Sequence, residues 1–181
     1  MKKIAAICSG IILTVSMYSF TGDWKTSVAQ MVTDFVNCKS QNKGAECKTY
    51  VAKAIKAIYG INDFDAAGKQ GGCMDINGVA NYIKKDSKWK ELGDASSQDI
   101  LKQAQDAANN NKAVVAVMPS DNGASHIVVI APGSLVSCGK VGLKCPDCVS
   151  FFINSPEKSF ASKPLAYAFK DLDGIKIYVR N

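Results

Sequence analysis

The chain contains one histidine, His126, at the head of the apolar run Ser125-His126-Ile127-Val128-Val129-Ile130. No other side chain has an unperturbed pKa near 6.5, so proton transfer by a neutral-pH imidazole must use this residue. Upstream, Cys47 opens a helix-like stretch, Glu46-Cys47-Lys48-Thr49-Tyr50-Val51-Ala52. A cysteine at a helix start with a histidine on a later strand is the chain order of a thiol hydrolase. The nucleophile in such chemistry is the thiolate. A helix N-terminus offers free N–H groups and a positive dipole end that lower a thiol pKa from about 8.5. His126 would pair with the thiolate and later protonate the leaving amine. The backbone N–H of Cys47 would supply one arm of an oxyanion hole.

An imidazole in this role needs an acceptor to orient it. Four groups lie on the next strand or the turn before it: Asp147, the backbone carbonyl of Cys148, Ser150 and Asn154. The Cys148 carbonyl is the working choice, with the other three left open.

These residues must be positioned by a small set of elements. Trp24 to Val36 has helical spacing through Val28, Met31, Val32 and Phe35. A second helix spans about 45–59, with apolar face Tyr50, Val51, Ala54, Ile55 and Ile58, and stops at Gly60. Cys47 falls on that face, three and four residues before Tyr50 and Val51. A glycine-rich loop, Gly68 to Cys73, leads to a short helix over Ile76–Ile83. Ser96-Ser97 can cap another helix, carrying Ile100, Leu101 and Ala104 and ending at Asn109-Asn110-Asn111. Strand-like runs follow at 113–118, 127–130, 148–153 and 175–179, with a weaker one at 165–169. Helices first and strands later indicate an α+β fold, helices packed on an antiparallel sheet, in one domain over 23–181.

The first residues read as a secretory leader over 1–22: basic Met1-Lys2-Lys3, an apolar stretch from Ile4 to Phe20, then Thr21-Gly22. Its removal takes two lysines and no acid, so the formal charge falls from +6 to +4. That excess suits an anionic polymer such as a cell wall and is too scattered for nucleic acid. The expected location is secreted or periplasmic, with no stable membrane association after the leader is removed.

Seven cysteines occur, and Cys8 leaves with the leader. The other six meet an oxidising compartment. Cys138, Cys145 and Cys148 crowd one segment, which suggests a local bridge, and Cys38 with Cys73 is a second candidate pair. Cys145-Pro146-Asp147-Cys148 has redox or zinc spacing, but zinc would need further ligands and no second CxxC exists.

Two segments, Glu46-Cys47-Lys48-Thr49-Tyr50-Val51 and Ala124-Ser125-His126-Ile127-Val128-Val129-Ile130, resemble those of NlpC-type peptidoglycan hydrolases. More narrowly, they are similar to the amidase effectors that bacteria inject into rivals by type VI secretion. The resemblance runs over roughly residues 30–181. It implies a papain-like fold and a hydrolase that cleaves an amide of the peptidoglycan peptide stem, commonly between γ-D-glutamate and meso-diaminopimelate. Cys47 would attack the carbonyl and water would release the acyl-enzyme, with no cofactor or metal. The stem would enter between the Gly71-Gly72 loop and the Asp121-Asn122-Gly123 turn. An antibacterial toxin of this kind would have a cognate immunity protein as partner. Two departures stand out. The family carries Gly where this chain has Ser125, and injected effectors lack a leader.

Two other readings fit the same residues. A non-catalytic secreted binding module could use all six cysteines in bridges, with Cys47 oxidised. An acyltransferase of papain-like architecture would pass the acyl group to an amine or alcohol instead of water.

Overall fold

The computed structural model describes residues 24–41, 43–67 and 72–181. The expected leader, 1–22, and Gly68 to Gly71 of the glycine-rich loop lie outside the described residues. Helix α1 (Trp24–Ser40) is followed by a 3-10 turn, η1 (Glu46–Thr49), and by α2 (Tyr50–Tyr59). Then come α3 (Ile76–Lys85), β1 (Trp89–Asp94) and α4 (Gln98–Asn109). The remaining chain holds β2 (Val114–Ser120), β3 (Gly123–Ile130), β4 (Val136–Cys138), β5 (Leu143–Cys145), β6 (Asp147–Ser150), β7 (Phe160–Pro164) and β8 (Lys176–Arg180).

Six strands form one sheet in the order β1-β8-β2-β3-β6-β7, and every pairing in it is antiparallel. The architecture is α+β. Strands β2 and β3 are central, and their segments Val114–Val117 and Ile127–Ile130 are buried, which explains the continuous apolar runs there. Helix α2 lays Val51, Ala54, Ile55 and Ile58 into the core. The Tyr59 hydroxyl, at its end, donates to the Ile130 carbonyl. Gly60 then takes the left-handed conformation, φ 68°, and its N–H closes on the Lys56 carbonyl, which ends the helix there. Helix α3 starts at Asp75, whose carboxylate accepts the Gly78 N–H at 2.8 Å.

The structure adds an edge strand and changes two expectations. Trp89–Asp94 is an edge strand, bulged at Gly93, because its pairing with β8 overrides a mixed polar pattern. The run at 165–169 is no strand: Leu165–Tyr167 forms a 3-10 turn, after Pro164 closes β7. Cys47 lies in the 3-10 turn ahead of α2, not in the α-helix itself. Among the described residues no helix is long and apolar enough to cross a membrane.

Candidate functional site

His126 is placed by two strands. On one side it pairs with Met118 of β2. The next pairing joins Pro119 to Ala124, so Ser125 is an extra residue, a β-bulge immediately before the histidine. The Ser125 side chain is exposed and its hydroxyl donates to the Met118 carbonyl at 3.3 Å. Ser125 is not among the residues with positive φ, so the backbone here does not require glycine. A serine is therefore accommodated immediately before the histidine.

On the other side stands β6, with Val128 opposite Ser150. Side chains alternate along a strand, so His126, Val128 and Ser150 share one face. Ser150 is fully buried, and its Oγ lies 2.9 Å from His126 Nε2. Phe152 stacks on the imidazole with ring centres 4.9 Å apart, and Phe169 meets it edge-on at 5.5 Å. The imidazole is therefore held by one hydroxyl and two aromatic rings. Burial in these surroundings lowers its pKa from 6.5 to about 4, so it is neutral at pH 7. A cleft of about 230 Å³ opens beside it, walled by Met118, Ser125, Phe152, Ile153, Asn154, Ser155 and Ala168.

Of the four proposed orienting groups, Ser150 is the one that reaches the ring. The Cys148 carbonyl does not fit the role, because the register pairs Cys148 with Ile130. Four residues of extended chain separate that position from His126, roughly 13 Å. Asp147 is farther along and occupied, accepting the Ser162 hydroxyl at 2.7 Å. Asn154 lines the cleft. The 121–123 turn is not part of the cleft wall.

Cys47 is buried and joined by a disulfide to Cys38, at the end of α1. This corrects the Cys38–Cys73 pairing, since Cys73 is free and half-buried. While bridged, Cys47 is not a nucleophile, and it does not line the His126 cleft. The helix that follows the Cys47 turn, α2, packs against the histidine's strand, β3. The turn holding Cys47 is flanked by aromatic contacts: Tyr50 lies 5.4 Å from Phe35 of α1 and 5.7 Å from Phe151, centre to centre.

The expected bridge among Cys138, Cys145 and Cys148 is absent, and all three thiols are free and buried. Burial, then contact with Cys138, pushes the Cys145 thiol up to about 12. Burial likewise raises Cys148, whose Sγ points to the Lys163 carbonyl at 3.2 Å. Among the described residues no group of three or more His, Cys, Asp or Glu side chains is arranged to hold a metal ion.

Neither a protein-family model nor a curated protein matches the chain. The functional reading therefore rests on the residues and their geometry.

Proposed function

We infer that the chain is a thiol hydrolase of papain-like, NlpC-type architecture that cuts an amide bond in the peptide stem of peptidoglycan. The γ-D-glutamyl–meso-diaminopimelate bond is the first candidate, and the setting is a secreted or periplasmic antibacterial or wall-degrading effector. The observation that carries this reading is the His126–Ser150 contact. It is a lone imidazole, fixed through Nε2 by a buried hydroxyl at 2.9 Å, beside an open cleft. Support comes from α2, which follows the cysteine turn and packs on the histidine's strand.

In the proposed cycle a dithiol reductant first reduces the Cys38–Cys47 bridge, leaving as its own disulfide and both cysteines as thiols. Neutral His126 takes the thiol proton, and the thiolate attacks the amide carbon. The C–N bond breaks as the imidazolium returns the proton to the leaving amine. Water then hydrolyses the thioester, with His126 again taking and returning a proton. Thiol, imidazole and water suffice for these steps. Peptide stems are the ligand, and a dedicated inhibitor protein would be the partner of a toxin.

Digestion of purified peptidoglycan by the reduced protein, with mass analysis of the fragments, tests the reading and identifies the bond. Free new amines and carboxylates at one stem position are expected. Transfer of the acyl group to an added amine would indicate the acyltransferase instead. Intact stems after digestion by a protein with alkylatable Cys47 would refute both. The Cys38–Cys47 bridge itself favours a second reading, a non-catalytic module in which the disulfide is structural. Such a module binds stems and releases no fragments.

A further inference from the structure

We propose that the Cys38–Cys47 disulfide is a reversible latch on the thiol hydrolase, opened by thiol–disulfide exchange with a dithiol reductant. The inference rests on the hydrolase reading, because the latch works by occupying that reading's nucleophile. Four features support it.

First, this is the bridged pair among the described cysteines, although Cys138, Cys145 and Cys148 are crowded together and remain thiols. Oxidation has fallen on the one cysteine placed ahead of the helix that packs on the histidine's strand.

Second, the bridge spans a short surface turn. Gln41, Lys43, Gly44, Ala45 and Glu46 are exposed, and the hydrogen bonds of this turn are local. Lys43 N–H donates to the Cys38 carbonyl, Glu46 N–H to Lys43, and Lys48 N–H to Ala45. Opening it disturbs no sheet pairing.

Third, the helices on either side are anchored without the disulfide. On α1, Phe35 is fully buried against Tyr50 and Phe151. On α2, Ile55 and Ile58 are buried and Tyr59 is tied to Ile130. The fold therefore has its own reasons to survive reduction.

Fourth, the two sulfur-bearing residues are not equivalent. Both are buried, Cys38 at 7% exposure and Cys47 at 1%, so Cys38 is the less buried end for an incoming thiolate once the surface turn opens. Lys39, Lys43 and Lys48 flank the pair against two carboxylates, Asp34 and Glu46, a net positive setting that favours approach of an anionic sulfur. Attack at Cys38 makes a mixed disulfide and expels Cys47 as the thiolate, the form needed for catalysis. The second thiol of the reductant then displaces Cys38. The reductant leaves as its disulfide, two electrons enter the protein, and both cysteines end as free thiols or thiolates. The reverse exchange closes the latch.

The test uses the oxidised full-length protein, with and without dithiothreitol and without denaturant. Iodoacetamide labelling is read by peptide mass, and hydrolysis of purified peptidoglycan is read in parallel. Reduction is expected to label Cys38 and Cys47 together and to raise hydrolysis by about 100-fold or more. Cys38→Ser is expected to hydrolyse without reductant at the rate of the reduced protein. The reduced natural chain carries the test if that variant does not fold. Equal hydrolysis with and without reductant overturns the latch alone. A bridge that yields only in denaturant also overturns it. If Cys47 is labelled after reduction, yet no fragments are released, the hydrolase reading falls and the latch falls with it.

Discussion

The two halves of the candidate site are built by opposite means. Cys47 is the buried residue of a short, otherwise exposed turn, stitched by local bonds and closed by a covalent bridge. His126 sits on a central strand, set by a bulge on one side and by Ser150 on the other, among aromatic rings. The proposed latch would let one half change chemical state without disturbing the sheet pairing. The other is fixed by the sheet and changes only in protonation. A site made this way separates what is switched from what is aimed.

The sharpest challenge to this comparison is to remove each half in turn. Cys47→Ala and His126→Ala are each expected to lower peptidoglycan hydrolysis by the reduced protein by about 10³-fold or more, with circular dichroism unchanged. The double variant should be no worse than either single one, since the two act as a unit. Additive losses would mean that they do not share a site.

Ser150→Ala should act through the aim of the imidazole. A fall of roughly 10- to 100-fold in kcat, with KM little changed and a displaced pH profile, is expected. Alkylation of Cys47 at Cys38→Ser should proceed as before. Thr at this position should recover part of the rate, because it keeps the hydroxyl.

Acid stability reports on the aimed half at a higher pH than on the depressed carboxylates Asp63, Asp86 and Asp94. Folding holds the His126 pKa at about 4, below the unfolded value of 6.5. Between those values the unfolded chain binds the proton and the folded chain does not. The contribution is complete above pH 6.5 and is lost as pH falls toward 4, by on the order of 2–3 kcal/mol. Urea titrations across this range should show that slope, and His126→Gln should flatten it.

The switched half has a comparable structural weight. Reduction, or Cys38→Ser, is expected to lower stability by about 2–3 kcal/mol, the entropy of a short closed loop. Thermal melting with and without dithiothreitol measures it. The smallest effect is expected at Ser125. The residue is exposed and its φ is not left-handed, so Ser125→Gly should change stability by about 0.5 kcal/mol or less, and activity by less than about twofold.

Much of this molecule was legible in its residues. The amphipathic faces of α2 and α4, the Gly60 stop and the buried runs of β2 and β3 all follow from period and composition. Edge strands were harder. Trp89–Asp94 and Phe160–Pro164 carry lysine, acid and proline, and they exist because a neighbouring strand offers its hydrogen bonds. The histidine was visible because it is alone, whereas its partner was not. Four candidate orienters lie within eight residues, and only the register Val128–Ser150 separates them. The same register removes Cys148, whose place in the sequence looked as good as that of Ser150. Disulfide pairing was out of reach because it depends on where the end of α1 meets the turn before α2. The bulge at Ser125 leaves no mark in composition.

The choice of a hydroxyl at Ser150 has one further consequence. A carboxylate beside the imidazole would stabilise its cation at all times. A hydroxyl can donate or accept, so it steadies either form of the ring and prefers neither charge. In an aromatic enclosure, the energy of charging His126 must then come from whatever anion arrives beside it, a thiolate or a developing oxyanion. On the proposed reading such a base would stay uncharged at rest and become a cation only while a reaction is under way.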